Sequence, residues 1–317
     1  MHRLTADDIP AYEDLPVIER LGYPHAWDVF GADDHLGTLN YLTPDVVAAA
    51  LSEASRGVVV ALNLPIDQPA PPLFGREPTK HDFFTHDRNT WDDRLDAYFP
   101  QGSSQWDGFR HVRAREFGFF GGVTADPSQD KSWLGIDVWA RRGIVGRGVL
   151  LDVAAYLLRS GDELRCDAER AITPELLREV ASEQGVEVRH GDLLLVRTGW
   201  PRKYAQLTGE RRTELAEAPA FPGLHAGEET ARLLWNWRVS ALITDVPAVE
   251  PVPGDPAVGS LHRRLLPLLG IPLGELFDLE GLSDRCQEYG RYTFLFTSAP
   301  VNLPGGCGSP ANALAIF

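Results

Sequence analysis

The chain has few of the features that mark secreted, membrane-spanning or disulfide-stabilised proteins. Its 317 residues include only three cysteines, which are far apart and form no CxxC pair. A disulfide framework is therefore not expected, and a reducing compartment is the natural environment. The first residues are polar and acidic with no apolar signal-peptide segment, and no uncharged apolar run approaches the roughly 18 residues that a spanning helix needs. These absences predict a soluble cytoplasmic protein.

Several catalytic and nucleotide-binding motifs are also missing. The sequence contains no GxSxG nucleophile elbow, no GxGxxG after a predicted strand and no GxxxxGK[ST] loop. Serine hydrolases of the α/β type, dinucleotide-binding enzymes and P-loop nucleotidases are therefore not supported.

The chain carries an excess of acidic residues, with a formal net charge of −15. Such a surface repels phosphate backbones and anionic lipids, so this protein is not expected to bind nucleic acids or membranes. An anionic substrate would be repelled as well, unless a metal ion or a local arginine reverses the field at the site.

Helix and strand signals occur throughout the chain. Thr43-Pro44-Asp45 and Thr173-Pro174-Glu175 each combine an N-cap threonine with a proline at the first helical position, and Gly57 and Gly185 end these two segments. Further helices are predicted over residues 228–237 and 261–269. Short strands rich in β-branched residues or leucine are predicted at Val58–Leu62, Val149–Val153, Leu193–Arg197, Ala241–Thr244 and Tyr292–Thr297.

The order of these elements predicts an α/β or mixed α+β fold around one mixed sheet. Most of the predicted strands are nearly continuous apolar runs, which is expected of strands buried on both faces. The segment between Pro65 and Asp137 is loop-rich and aromatic. Pro/Gly-rich pieces are short and flanked by apolar segments, so residues 1–317 are predicted to form a single domain.

The segment Ser103-Ser104-Gln105-Trp106-Asp107-Gly108-Phe109-Arg110-His111 is the strongest candidate for chemistry. It places an amide, a carboxylate and an imidazole within seven positions, beside a glycine that permits close backbone approach. A carboxylate and a histidine at this spacing can converge as a metal ligand and a general base. The same spacing is equally compatible with Asp107 capping a turn, Trp106 filling the core and His111 being an ordinary histidine.

A second candidate group is His262 with Glu275. His262 begins a predicted helix, and Glu275 follows it after a Gly-Ile-Pro turn, so the two side chains could supply a pair of ligands to a divalent metal. The alternative is that Glu275 is a helix-start acid and that His262, which two arginines follow, lies on the surface.

Six segments together resemble the cyclase family, which includes bacterial kynurenine formamidase and isatin hydrolase. They span nearly the whole chain in the family's order, and their joint occurrence is more specific than any one of them. The segments are DDHLGTLNYLTPD (33–45), SQWDGFRH (104–111), GRGVLLDV (146–153), GDLLLVRTGW (191–200), HRRLLPLLGIPLGE (262–275) and GGCGSPANALAIF (305–317).

The family's signature HxGTHxDxPxH, whose two leading His and Asp hold the catalytic metal, falls on residues 101–111. Asp107 matches the metal-binding Asp and His111 matches the closing His, which the family uses as acid and base. Gln101 and Gln105 stand where the two leading His belong. This departure resembles the SQWDG branch of the family. An amide oxygen is a harder and weaker donor than imidazole, which favours Mn²⁺ or Mg²⁺ over Zn²⁺.

The resemblance implies the swivelling β/β/α fold, assembly into homodimers or homotetramers, and one divalent metal, Mn or Zn with Mg as an alternative. Asp107, His262 and Glu275 resemble the family's ligands, with Gln105 as an additional one. The implied reaction is hydrolysis of a C–N bond in an amide, formamide or lactam, as in the arylformamidase step of tryptophan catabolism to kynurenine. Residues 1–30 are then an extension that packs on the domain or on a partner subunit. A metal-free cyclase or dehydratase, or a small-molecule binding protein, is the alternative that a loss of two imidazole ligands would produce.

Aromatic side chains near the signature indicate a small aromatic or cyclic substrate. They could stack on a planar ligand, with Gln101 as a polar neighbour, although each ring is an equally good core residue. The candidates are Trp106, Phe83, Phe84 and Phe119.

Overall fold

A computed structural model describes residues 8–317. Its centre is a nine-stranded mixed sheet. The strands of this sheet are β3 (Val59–Ala61), β6 (Gln105–Asp107), β7 (Ile144–Asp152), β9 (Leu193–Arg197), β11 (Ala241–Thr244), β12 (Leu273–Glu275), β13 (Thr293–Ser298), β14 (Gly308–Pro310) and β15 (Ala313–Ile316). Their order in the sheet is β14-β6-β12-β11-β9-β7-β13-β15-β3. Strands β12, β11, β9 and β7 run parallel to one another, and antiparallel strands flank them on both sides.

Three two-stranded sheets lie outside the central one. They are formed by β1 (Val17–Ile18) with β2 (Tyr23–Pro24), β4 (Lys80–Thr85) with β5 (Trp91–Asp96), and β8 (Arg170–Ile172) with β10 (Pro222–Leu224). The α-helices of the described residues are α1 (Pro44–Ala50), α2 (Ile136–Arg142), α3 (Val153–Arg159), α4 (Pro174–Glu183), α5 (Trp200–Gln206), α6 (Gly209–Glu217), α7 (Glu228–Asn236), α8 (Leu261–Arg264) and α9 (Glu280–Tyr289).

The central parallel strands form the core of the fold. Every residue of β9 and β11 is buried, and Leu194, Leu195 and Ile243 are fully excluded from solvent. Burial of such runs on both faces is the expected state of parallel strands covered by helices. The predicted α/β class with one mixed sheet is therefore confirmed.

The predicted helix starts at Pro44 and Pro174 are confirmed, since Oγ1 of the preceding threonine accepts a hydrogen bond from Val46 N (3.4 Å) or Leu176 N (3.3 Å). The predicted helix over residues 261–269 is α8 followed directly by a π-helical turn, Leu265–Leu269. The first predicted helix is too long, because α1 ends at Ala50 and tightens into a 3-10 turn.

The described part of the N-terminal segment packs on the same chain. The indole of Trp235 on α7 donates to the carbonyl of Pro10, and Asn236 accepts from the amide of Tyr12. Ile9 and Tyr12 are both buried. Of the predicted extension 1–30, residues 1–7 lie outside the described residues. No helix within residues 8–317 has the length and apolar character needed to cross a membrane.

Candidate metal centre

Strand alternation on β6 separates the polar side chains of the signature from its tryptophan. Successive residues of a strand point to opposite faces, so Gln105 and Asp107 share one face and Trp106 faces the other way. The antiparallel register pairs Gln105 with Glu275 and Asp107 with Leu273 on β12. Because directly paired residues share a face, Gln105, Asp107 and Glu275 lie on the same side of the sheet.

His262 completes this group from the first turn of α8. Its Nε2 lies 3.0 Å from Oε1 of Glu275 and 3.6 Å from Oδ2 of Asp107. Ligand atoms of Asp107, His262 and Glu275 all lie within 4.8 Å of one another, a separation at which one ion could contact all three. The two segments that spacing alone could not connect thus meet at one point.

Glu250 contacts His262 at the ring nitrogen that does not face Asp107 and Glu275. The sequence did not indicate this contact. Its Oε2 lies 2.6 Å from Nδ1 of His262, and its Oε1 accepts a hydrogen bond from Oγ of Ser260 at 2.8 Å. A carboxylate on one ring nitrogen fixes the tautomer so that the other nitrogen, Nε2, can donate its lone pair to a metal. The only sequence feature that could have suggested Glu250 is its position as an acidic residue in the Pro-rich loop after β11.

The carboxylates of Asp107 and Glu275 are buried, and their negative charges repel one another. Asp107 is fully buried and Glu275 is 2% exposed. Burial raises the pKa of Glu275 to about 7, and the charge of Asp107 contributes to the rise. Burial would lower the pKa of His262, but Glu250 and Glu275 raise it well above its usual value. The site therefore concentrates negative charge in a volume from which water is largely excluded.

Several buried oxygen atoms of the site lack hydrogen-bond partners among the described residues. They are both carboxylate oxygens of Asp107 and Oε1 of Gln105. The amide nitrogen of Gln105 donates to Oε2 of Glu275 at 2.7 Å, which leaves its oxygen free. Orphaned buried oxygens are costly unless a cation or water satisfies them. Two carboxylates, one imidazole and an amide oxygen are a donor set that Mn²⁺, Zn²⁺ and Mg²⁺ all accept, so the residues present fit a divalent ion.

His111 lies at the edge of the cluster. A turn after β6, closed by a hydrogen bond from His111 N to Gly108 O (2.9 Å), folds the chain back over the strand end. His111 Nε2 lies 3.8 Å from Oδ1 of Asp107, and its side chain is 29% exposed, against 14% for His262. It therefore faces the solvent side of the site, where a substrate would arrive.

Comparison with known proteins identifies the family of the chain. The model of the family described as "Putative cyclase" matches residues 40–251, which is more than half of the chain. The chain belongs to the cyclase family. This confirms the predicted resemblance to the family. No curated protein matches the chain in sequence.

Several solved structures share the fold. A structure titled as a novel cyclase has a TM-score of 0.81 at 28% identity and covers 92% of this chain and 99% of its own. Isatin hydrolase A from Labrenzia aggregata, bound to benzyl benzoate, has a TM-score of 0.57 at 18% identity, with coverage of 86% and 97%. An isatin hydrolase bound to the product analogue thioisatinate gives 0.57 at 14% identity, with coverage of 85% and 95%.

Two of the aromatic side chains expected to contact a substrate lie in the core of the cyclase fold. Trp106 is fully buried on the face of β6 away from Asp107, and its indole donates to Oγ of Ser298 at 2.9 Å. Phe119 is 3% exposed and packs against Trp133, with ring centroids 5.4 Å apart. The prediction that Trp106 contacts substrate is wrong, because strand alternation turns it away from the site, and Phe119 is likewise a packing residue.

The other predicted substrate contacts lie on more exposed segments. Phe83 and Phe84 are consecutive residues of β4 and are 65% and 41% exposed, so they project from opposite faces of the β4–β5 hairpin. Gln101 is half-buried in a 3-10 turn before β6. Its amide nitrogen lies against Gly308, which pairs with Asp107, so Gln101 borders the metal centre.

Proposed function

We propose that this member of the cyclase family is a metal-dependent hydrolase that cleaves a C–N bond in an amide, formamide or lactam. The observation that carries the proposal is the buried cluster of Asp107, His262 and Glu275, whose ligand atoms lie within 4.8 Å of one another. The unpartnered oxygens of Asp107 and Gln105 support it, because an apolar or fully hydrogen-bonded site would not leave them orphaned.

A divalent ion bound there would act as a Lewis acid on the scissile carbonyl and make water a stronger nucleophile at neutral pH. Asp107, His262 and Glu275 would hold it, with Gln105 Oε1 as a further donor. Glu250 would keep the Nε2 lone pair of His262 directed at the ion through its contact with Nδ1. Because an amide replaces imidazole in this set, we propose Mn²⁺ or Mg²⁺ ahead of Zn²⁺.

His111 is the proposed acid and base. Its Nε2 lies beside Asp107 but outside the cluster of ligand atoms, so it is free to exchange a proton with substrate. It would take a proton from the attacking water and deliver it to the leaving nitrogen, which must be protonated to depart as an amine.

The substrate is proposed to be small and aromatic or cyclic. The isatin hydrolases with the same fold bind benzyl benzoate and thioisatinate, both of which contain aromatic rings. N-formylkynurenine and isatin are the reference compounds for the formamide and lactam classes. Assembly into a homodimer or homotetramer belongs to the same proposal.

A hydrolysis screen tests the proposed function. Protein loaded with Mn²⁺, Mg²⁺ or Zn²⁺ is incubated with N-formylkynurenine, isatin and simple lactams, and the metal content of each preparation is measured by elemental analysis. We expect turnover of at least one class, its loss on chelation and its return with metal. If no metal binds, the hydrolase assignment fails in favour of a metal-free cyclase, dehydratase or binding protein.

Replacing His111 by asparagine is expected to lower kcat by at least about a hundredfold while metal content stays unchanged, since proton transfer typically contributes that much. The matched control is His35→Asn, which removes a half-buried histidine elsewhere. Equal kcat values for wild type and His111→Asn would contradict the assigned role.

Replacing Glu250 by glutamine is expected to weaken metal binding by about 10- to 100-fold, because the neutral amide keeps the shape but no longer supports the ring of His262 electrostatically. Titration of the metal-free protein with Mn²⁺ by calorimetry measures the change. Glu217→Gln, an exposed position at the end of α6, should bind metal as wild type does. An unchanged affinity in Glu250→Gln would show that this carboxylate does not serve the metal site.

A further inference from the structure

The β4–β5 hairpin, which comprises residues 80–96 and is called the arm below, projects from the domain. Every residue of its two strands is exposed. Its side-chain hydrogen bonds among the described residues stay within the arm, as from Arg94 to Asp82 at 2.7 Å and between His86 and Asp92 at 2.7 Å. An isolated two-stranded hairpin is only marginally stable in water. A further surface is therefore needed to hold the arm in place.

The antiparallel register gives the arm one apolar face. Phe83, Trp91 and Leu95 lie on this face, and all three side chains are exposed. The charged groups on this face, His81 and Asp93, pair with each other at 3.1 Å. An antiparallel sheet normally packs one face on a core and leaves the other to solvent. The apolar face of the arm lacks such a core within its own chain.

The exposed aromatic side chains of residues 8–317 are concentrated in one segment. Every phenylalanine, tyrosine and tryptophan that is exposed in this range lies between residues 74 and 99, whereas those elsewhere are buried or half-buried. Aromatic residues are enriched in protein–protein interfaces and carry much of their binding energy. This concentration indicates that the segment is an interaction surface. The residues are Phe74, Phe83, Phe84, Trp91 and Phe99.

A cavity of about 280 Å³ lies beside the base of the arm. Its lining is mostly apolar and includes Ile66, Phe99 and four prolines. Thr79, the residue before β4, also lines it, so the cavity and the base of the arm are adjacent. A concave apolar site of this kind can receive one aromatic side chain.

Trp91 lies at the far end of the arm, away from the cavity of its own chain. The pair Lys80–Asp96 forms the base of the arm, and the pair Thr85–Trp91 lies five residues further along it. At about 3.4 Å per residue, this separation is about 17 Å. When two copies are related by a two-fold axis, each arm meets the same surface of the other copy. A second copy therefore offers Trp91 a matching cavity that its own chain holds out of reach.

The distribution of charge also favours contact through the apolar face. The chain has a formal charge of −15, so two copies repel each other across most of their surfaces. On the apolar face of the arm, His81 and Asp93 already neutralise each other. Two copies can therefore meet there without burying an unpaired charge, which would be costly.

We propose that the arm docks on a second copy of this chain, with its apolar face against that copy and Trp91 in the cavity beside the base of the other arm. This inference rests on the assembly part of the proposed function and not on its hydrolytic chemistry. Covering Phe83 and Trp91 in both copies, together with the surfaces that they meet, buries on the order of 1,000 Å², about the minimum for a specific interface.

Sedimentation velocity of the full chain over a range of concentrations tests the docking surface. We expect wild type to form dimers, and Phe83→Ser combined with Trp91→Ser to raise the dissociation constant at least about a hundredfold, because aromatic anchors dominate interface energies. The variant should fold, since both rings are exposed within one chain. Leu158→Ser removes an equally exposed apolar side chain from α3 and is the matched control.

Gly102→Leu tests whether the cavity receives the ring. Gly102 lines the cavity, and a Cβ at this position would lie 3.6 Å from its nearest neighbour, in Phe99, so the position tolerates a side chain. The added side chain should take the space of Trp91 and raise the dissociation constant about tenfold. An unchanged dissociation constant would show that Trp91 does not enter this cavity.

Hydrogen exchange of the arm separates a second copy from other occupants. The amides of residues 80–96 should exchange faster when the dimer is diluted to monomer, while those of β9 stay unchanged. If wild type is monomeric up to about 100 µM, the inference and the assembly proposal are both wrong, whereas the hydrolysis screen still decides the chemistry. In such a monomer, a protected arm packs on its own chain, and an unprotected arm serves a different protein. If wild type and the arm variant dimerise equally, assembly stands and this surface is wrong.

Discussion

Replacing Asp107 by asparagine is expected to abolish stoichiometric metal binding and to lower hydrolysis by at least about a thousandfold, equivalent to roughly 4 kcal/mol of transition-state stabilisation. Asp107 is fully buried, both of its oxygens lack hydrogen-bond partners among the described residues, and its ligand atom lies within 4.8 Å of those of the other two candidate ligands. The asparagine keeps the volume of the side chain but removes the anionic charge that balances a divalent ion. Elemental analysis and turnover of the best substrate from the screen measure the two effects.

The same substitution should remove the effect of metal on stability, which is compared in metal-free protein and in excess Mn²⁺. Excess Mn²⁺, at about 100 times its dissociation constant, should raise the free energy of unfolding of wild type by about 2.7 kcal/mol and leave the variant unchanged. Asp33→Asn, at an exposed position, should behave as wild type in both conditions. Metal-dependent stabilisation of Asp107→Asn would rule out Asp107 as a ligand.

The residues of the candidate metal centre could be identified from the sequence because the family signature and the His262–Glu275 segment are local patterns of chemistry-bearing residues. Their convergence could not be derived from spacing, since His262 is more than 150 positions from Asp107. It depends on the pairing of β6 with β12, a contact between a three-residue strand and a distant segment. Such short strands carry too few residues for their period to be recognised.

Glu250 could not be predicted for a different reason. It acts through its contact with His262, and its position carries no motif. Trp106 was assigned to the substrate because it stands next to Asp107 in sequence. In a strand that adjacency places it on the opposite face, so recognising β6 would have placed it in the core.

The central strands were predictable because parallel strands under helices must be apolar on both faces. Val149–Leu151, Leu193–Val196 and Ala241–Ile243 are continuous apolar runs and are all fully buried. The β4–β5 hairpin was assigned to a loop-rich segment instead. Every residue of its strands is exposed, so no buried face imposes the alternation by which a half-buried strand is recognised.

Replacing Arg197 by methionine is expected to reduce the free energy of unfolding by about 3–5 kcal/mol, the largest stability effect that a single substitution should have in the charged network beside the sheet. Arg197 pairs with Asp152 at 2.8 Å and with Glu280 at 2.7 Å. Its side chain is 8% exposed, and that of Asp152 is 1% exposed. Urea unfolding of the metal-free protein at fixed concentration measures the loss. Arg202→Met, which removes a half-exposed partner of Glu280, should cost no more than about 1 kcal/mol.

The expected loss comes from the carboxylates left behind rather than from the attraction that is removed. Asp152 would remain buried without a cation, Glu280 would keep only the half-exposed Arg202 as a partner, and desolvation of an unpaired charge costs more than a desolvated ion pair contributes. Adding Asp152→Asn and Glu280→Gln to Arg197→Met should therefore restore at least about half of the lost stability, although each change deletes a further charge. If the triple variant has a lower free energy of unfolding than Arg197→Met, the ion pairs themselves stabilise this side of the sheet. Only in that case would removal of the remaining charges reduce the stability further.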